Sequence, residues 1–415
     1  MTGETLSRAR PGAQPPDAHA RWGSAALALG VATAVGHALS YAFSLVLSRA
    51  LGPADFGALG ALLGIAVVAS VPATALQTQV ARFSAVADTG AMARQSYRLS
   101  WWVGLGQGVL LAALAFPLTE ILRLDSALAV LLLGAGLLPV SVIAARQGTL
   151  LGRGQFGLLA VTMVLVPALR LGGAGVAAGT GMDVTGALGM QTVATWVGLV
   201  AVMAVVRPGS GGAPPQDPTV AGPRLIGVVA SGASLLGLFV LANVDVLLAR
   251  AFLTDPESGV YAVGALGAKV MFWGSHFVAL LVFPRVARGN DGGAVLLPAG
   301  LVVATIGAAA TVASIWLAGP VLDLLVGSAY ADAAAVFPWF VVLGTLLSLV
   351  QLMTYAAVAA DAHRASALLW VTVVAQSTVV ALAARSSVLD IEGVSIAGAA
   401  LLTVASALLV ASERS

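Results

Sequence analysis

The chain has 415 residues, of which 59% are hydrophobic and 9% charged, with a formal net charge of +2 and no cysteine. Soluble globular domains carry charged residues at about 25%, so this composition excludes one. The absence of cysteine also excludes disulfides, thiolate nucleophiles and cysteine metal sites, and the small net charge gives no support to nucleic-acid binding.

Taken in order, residues 1–22 hold three arginines and three prolines but no apolar run, which predicts a disordered cytoplasmic tail. Twelve apolar runs follow, roughly 23–48, 57–80, 99–118, 126–144, 157–179 and 185–206, then 225–249, 259–283, 293–318, 333–353, 365–384 and 393–411. Each is near the ~20 residues that cross a ~30 Å hydrocarbon layer. Between the sixth and seventh runs lies a glycine- and proline-rich stretch, Arg207 to Arg224, which reads as a flexible cytoplasmic linker. The expected fold is therefore an all-α integral membrane protein with about twelve transmembrane helices in two six-helix lobes, 23–206 and 225–412.

Arginine and lysine set the orientation. With the amino terminus inside, the inside segments hold fourteen of the twenty basic residues and the outside loops hold Arg49, Arg123, Arg250 and Arg385. Both termini are then cytoplasmic, as expected for a multi-pass protein of an inner membrane. No outside loop is long enough for a catalytic domain. No G-x-x-x-x-G-K-[ST] or H-E-x-x-H sequence occurs, so neither phosphate-loop nor zinc chemistry is expected. The chain is not expected to be an enzyme or to need a cofactor.

One short motif occurs twice. LSRALGPADFGALGAL, from Leu47, and the stretch from Asn243 to Lys269 each end an apolar run in Arg-Ala, follow it with an acid, and open the next run with glycine. The intervals Arg49 to Gly57 and Arg250 to Gly259 are nearly equal, which predicts two structurally similar halves.

Ionisable groups inside a membrane span cost roughly 2.5–3.5 kcal/mol on insertion scales and mark cavities or partners. Here they are His37 in the first span, Arg170 in the fifth, Asp245 in the seventh, and Lys269 and His276 in the eighth. Lys269, Phe272, Trp273 and His276 recur at helical spacing, a face suited to a ligand with phosphate and sugar or isoprenoid parts. The bland alternative is a structural ion pair between Lys269 and Asp245. His37, Ser40, Tyr41, Ser44 and Ser48 form a polar stripe, as do Ser70, Thr74 and Gln77 on the second span, while Ser231 and Ser234 lie near the face of Asp245. Such stripes line cavities or pack helices together. Arg170, flanked by Pro167 and Gly172, is either an anion site in a broken helix or an interfacial helix end. The glycine-rich segment Ala145–Gly157 reads as a cytoplasmic loop, either a topology-setting turn or a contact with anionic headgroups.

These pieces resemble the polysaccharide transporter (O-antigen flippase) family of the multidrug/oligosaccharidyl-lipid/polysaccharide exporter superfamily. The likeness rests on SRALGPADFGAL from Ser48, QTQVARFSA from Gln77, the loop around Arg146 to Phe156, the Asp245–Lys269 hairpin, FPRVAR from Phe283 and GSAYADAA from Gly327. It implies a V-shaped pair of lobes around a central cavity and alternating-access movement of a polyprenyl-diphosphate-linked oligosaccharide for surface polysaccharide biosynthesis. Lys269, Arg170, His37, Asp245, His276, Trp273 and Tyr41 are the residues expected at that cavity. The implied partners are the lipid-linked glycan, membrane lipids, and glycosyltransferases or a polymerase of the same pathway. Export of small cationic molecules, with Asp245 as the cation site, is the main alternative. A membrane glycan polymerase or ligase is disfavoured by the short outside loops.

Overall fold

The computed structural model describes residues 17–86, 90–206, 225–275, 292–359 and 363–412. The helices are α1 (Asp17–Ala69), α2 (Val71–Val86), α3 (Gly90–Ala113), α4 (Ala115–Ile121), α5 (Ala127–Gly152), α6 (Phe156–Gly179) and α7 (Val184–Val205). They continue as α8 (Leu225–Phe252), α9 (Asp255–Gly274), α10 (Gly292–Val326), α11 (Ala333–Ala359), α12 (His363–Leu382) and α13 (Val388–Ser412), with a short 3₁₀ turn at Ser328–Tyr330 before α11. Among the described residues there is no strand.

α1 contains two membrane passes. Gly52 adopts φ 74° and ψ 175°, a backbone that only glycine takes without strain, and Pro53 follows it. The second pass continues through α2. α3 and α4 meet at 54° and form one bent pass. α5 to α7 and α8 to α13 supply the rest, so the chain is a multi-pass membrane protein whose described residues form about twelve helical segments in two six-helix lobes. α1 begins at Asp17, inside the segment expected to be disordered, because no glycine or proline interrupts 17–22. The linker 207–224, the FPRVAR segment and His276 lie outside the described residues, as do the side chains of Ser231 and Ser234.

The repeat seen in the motif extends to the packing. In the first lobe α1 packs on α6, α2 and α3 on α5, and α5 and α6 on α7. In the second, α8 packs on α12, α9 and α10 on α11, and α11 and α12 on α13. The lobes meet where α1 and α2 pack against α8 and α9.

Local chemistry fixes the ends. Ser126 caps α5 by accepting from Leu128 N–H at 3.1 Å, and Asp183 caps α7 by accepting from Gly186 N–H at 2.8 Å. At the α8–α9 hairpin Glu257 accepts from the Thr254 N–H at 3.0 Å and from its hydroxyl at 2.6 Å. These bonds satisfy amide donors that helix starts leave open.

The segment Ala145–Gly157 departs from expectation. Most of it is the last two turns of α5. Gly148 and Gly152, one turn apart, face the Gln77 and Ala81 carbonyls of α2 so closely that a Cβ at either would overlap them. The glycines serve close helix packing, not a loop.

Candidate functional site

Between the lobes lies a cavity of about 360 Å³, within the range that binds small organic groups. Its lining comes from α1, α5, α6, α7, α8 and α9 and includes His37, Tyr41, Arg170, Lys269 and Trp273. A second cavity of about 310 Å³ shares His37, Ser40, Ser70 and Arg170 with it and is otherwise lined by Thr33, Thr74, Gln77, Gln147 and Thr162 among others. The second cavity lies toward the end at which α1 begins. Five of the seven residues expected at the site thus line the central cavity.

Its charge is one-sided. Lys269 and Arg170 are the formally charged lining residues, and no carboxylate lines either cavity among the described residues. Arg170 donates from Nε to the Thr195 hydroxyl at 3.1 Å. Neither cation has a carboxylate within ion-pair distance among the described residues. The Tyr41 hydroxyl and Gln191 Oε1 are buried without a hydrogen-bond partner, so the wall presents unused polar groups beside its two cations. His37 stacks on Trp273 with ring centroids 4.9 Å apart, and Trp273 stacks in turn on Phe239 at 5.6 Å. This makes a flat aromatic wall next to Lys269. Phe272, expected on the same face, is 2% exposed and turned into the core of the second lobe.

Asp245 does not line the central cavity. It is 4% exposed and borders a small recess with Asn243, Lys269 and Trp273. Its Oδ2 accepts from the Tyr261 hydroxyl at 3.1 Å, and the same hydroxyl lies 2.9 Å from Glu392 Oε2. Lys269 and Asp245 are neighbours that interact through space, but they make no direct ion pair. The pairing offered by the sequence as the bland alternative is therefore not a contact in the structure.

One end of the cavity is sealed by groups that cross between the lobes. Arg250 of α8 donates to the Leu122 carbonyl at 2.8 Å, the Arg123 carbonyl at 3.0 Å and the Ala54 carbonyl at 3.1 Å, and to the Ser258 hydroxyl at 3.2 Å. It also pairs with Asp255 at 3.1 Å. Arg123 answers by donating to the Arg250 and Leu253 carbonyls and pairing with Asp255 at 3.2 Å. It does so from a left-handed backbone, φ 48°, which is uncommon for a residue with a Cβ. In the other half of the repeat Arg49 donates to the Leu324 carbonyl, and the Tyr330 hydroxyl donates to the Ser48 carbonyl at 2.9 Å. Beneath these bonds Gly57 lies on Ser258 and Gly259 on Pro53, with no room for a Cβ at either glycine. The two glycines that open the repeated motif are therefore where the hairpins touch.

Tyr261, Glu392, Arg123 and Tyr330 were not among the residues expected from the sequence. Glu392 is hidden in the sequence because the last apolar run, 393–411, starts one residue after it. The signal was Ser387-Val388-Leu389-Asp390, a helix-start pattern. Ser387 does accept from the Asp390 N–H at 3.2 Å, which places Glu392 inside α13.

No protein-family model matches the chain, and no curated protein matches it in sequence. Solved structures match over almost the whole length. A MOP superfamily transporter from Pyrococcus furiosus, described as having a binding pocket of reverse polarity that suggests a different function, superposes with a TM-score of 0.67 at 14% identity, covering 94% of this chain and 95% of that one. An outward-facing multidrug-resistance MATE transporter gives 0.63 at 14% over 94% and 95%, and the eukaryotic MATE transporter AtDTX14 gives 0.65 at 13% over 94% and 95%. At these identities the likeness shows the fold alone: an all-α integral membrane protein with the fold of these transporters.

Proposed function

We propose that the protein is an alternating-access transporter that carries an amphiphile with an anionic head group across the membrane, of the polyprenyl-diphosphate-linked oligosaccharide class. The observation that carries this reading is the cavity lining, with Lys269 and Arg170 present and no carboxylate among the described residues. Two cations in a low-dielectric cavity attract a diphosphate and repel a cationic drug. The Trp273–His37 wall gives a surface for an isoprenoid or a sugar face, and the hydroxyl- and amide-lined second cavity gives room for polar substituents. The arginine distribution supports a cytoplasmic start for α1. On that orientation the sealed end faces outward and the second cavity faces the cytoplasmic side. Substrate then loads from the inner leaflet, and release requires the Arg250–Arg123 seal to part.

A second reading, export of small cationic molecules, is supported by the multidrug transporters among the structural neighbours and by the acids Asp245 and Glu392 buried in the second lobe. The two are separated by reconstituting the full chain in vesicles. One set receives a fluorescent short-chain polyprenyl-diphosphate disaccharide, scored by a membrane-impermeant quencher. The other receives ethidium, scored by efflux. The proposal expects transbilayer movement of the glycolipid that is lost in Lys269→Ala with the protein still folded, and no ethidium efflux. Ethidium efflux that depends on Asp245, with no glycolipid movement, refutes it.

A further inference from the structure

The second lobe buries a group of titratable side chains that the cavity itself does not use. Tyr261 and Glu392 are fully buried and Asp245 nearly so, and the Tyr261 hydroxyl lies within hydrogen-bond distance of both carboxyl groups. A hydroxyl has one hydrogen, so it donates to one carboxylate only. The second contact is a hydrogen bond only if that carboxyl carries a proton and donates it to the tyrosine oxygen. With both contacts read as hydrogen bonds, the triad holds one proton between its two acids and one negative charge. Its remaining oxygens, Asp245 Oδ1 and Glu392 Oε1, are buried without partners, and the one acid left ionised can take one further proton.

The balancing positive charge is Lys269. It lines the recess that holds Asp245 and also the central cavity, so one ammonium group stands between an internal acid and a substrate site. The titratable side chains acting on Asp245 are Lys269 and Tyr261 of α9 and Glu392 of α13. From α1, His37 is engaged with Trp273 on the cavity side. From α11 and α12, the nearby buried polar groups Gln351 and Gln376 do not titrate.

Building on the anionic-substrate reading, we propose that Lys269 is shared between Asp245 and the substrate's anionic group, so that each anion bound draws one proton onto the Asp245–Tyr261–Glu392 triad, which is the proton-coupling site. Before binding, Lys269 balances ionised Asp245. After binding, it balances the anion, and Asp245 would stand as an unpaired carboxylate in the membrane interior, which is strongly unfavourable. A proton taken from solvent onto Asp245 removes that unpaired charge, so Asp245 is never left as an uncompensated carboxylate in either state. The coupling differs in kind from competition between a cationic substrate and a proton for one acid, because here substrate and proton bind together.

The test is calorimetric titration of the purified full chain with farnesyl diphosphate, in two buffers of different ionisation enthalpy, across neutral pH. The head group's own proton exchange is removed by subtracting the same titration of Asp245→Asn, with Asp245→Ser as reference if the asparagine variant is not monodisperse. The expected result is about one extra proton taken up per ligand by the wild type. Its affinity, relative to the variant, should tighten about tenfold for each unit fall in pH over the linked range. Lys269→Gln should lose binding. Equal proton uptake by wild type and the Asp245 variants, with both binding, overturns the coupling and leaves the anionic reading standing. No binding of farnesyl diphosphate by the wild type overturns both.

Discussion

Arg250 is the residue whose removal should most change the resting conformation. Its side chain is buried, and its guanidinium holds three carbonyl groups of the opposite lobe at 2.8–3.1 Å together with Ser258 and Asp255. A hydrogen bond to a charged group contributes about 1.5–3 kcal/mol net. Asp255 is half-exposed and water can reach the vacated carbonyls, so the lower end of the range applies and the bonds do not simply add. Arg250→Ala should therefore weaken the closed state by about 3 kcal/mol, a shift of roughly 150-fold in the ratio of closed to open protein. The absence of cysteine makes the assay direct. Glu120→Cys and Ala329→Cys place exposed spin labels on opposite lobes at the sealed end, and pulsed dipolar spectroscopy reads their separation. A wild-type sample with one short distance should become, in Arg250→Ala, one with a dominant longer distance. An unchanged distribution from a well-folded variant would refute the assignment of Arg250 as the closing element.

Gly259→Ala should open the same end by a different route, since its Cβ collides with the Pro53 carbonyl, and the label pair should lengthen with Arg250 intact. Tyr330→Phe removes one buried donor to the Ser48 carbonyl. It should cost about 1 kcal/mol and produce a smaller, measurable long-distance fraction in the same experiment. Arg170→Gln keeps a donor for Thr195 but removes the charge. Glycolipid movement in vesicles should then need at least tenfold more substrate for half-maximal rate, with the melting temperature little changed.

The passes were legible because a helix in lipid must be apolar along its whole length, and that requirement is written residue by residue. The two hairpins were legible for a related reason: each repeats Arg, acid and Gly at nearly the same spacing. What the sequence did not reveal is what those glycines touch. Gly57 and Gly259 are about 200 positions apart, and only the packing of one lobe on the other shows that each motif is shaped by its counterpart. Lys269 and Trp273 were found by helical spacing, but the same spacing also nominated Phe272, which faces the core. Spacing defines a face of a helix and says nothing of what lies opposite. Asp245 and Lys269 looked like a pair because both are rare in-span charges on neighbouring helices. The structure separates them because Asp245 is directed toward Tyr261 and Glu392, and Glu392 arrives from the last helix, beyond the reach of any local pattern.

The two halves of the seal are built on one plan but are unequal in strength. Arg49 is exposed and holds a single carbonyl at the end of α10, whereas Arg250 is buried and holds the end of α4 by several bonds. Parting such a seal resembles unzipping from the weaker end. In the proposed transport cycle, the Arg49 side frays first at little cost, solvent gains access, and the crossing rate is set by the later rupture of the Arg250 cluster. On that cycle, two lobes related by an internal repeat yield an ordered, one-sided opening, and the cluster that sets its speed is centred on Arg250 of the second copy of the motif.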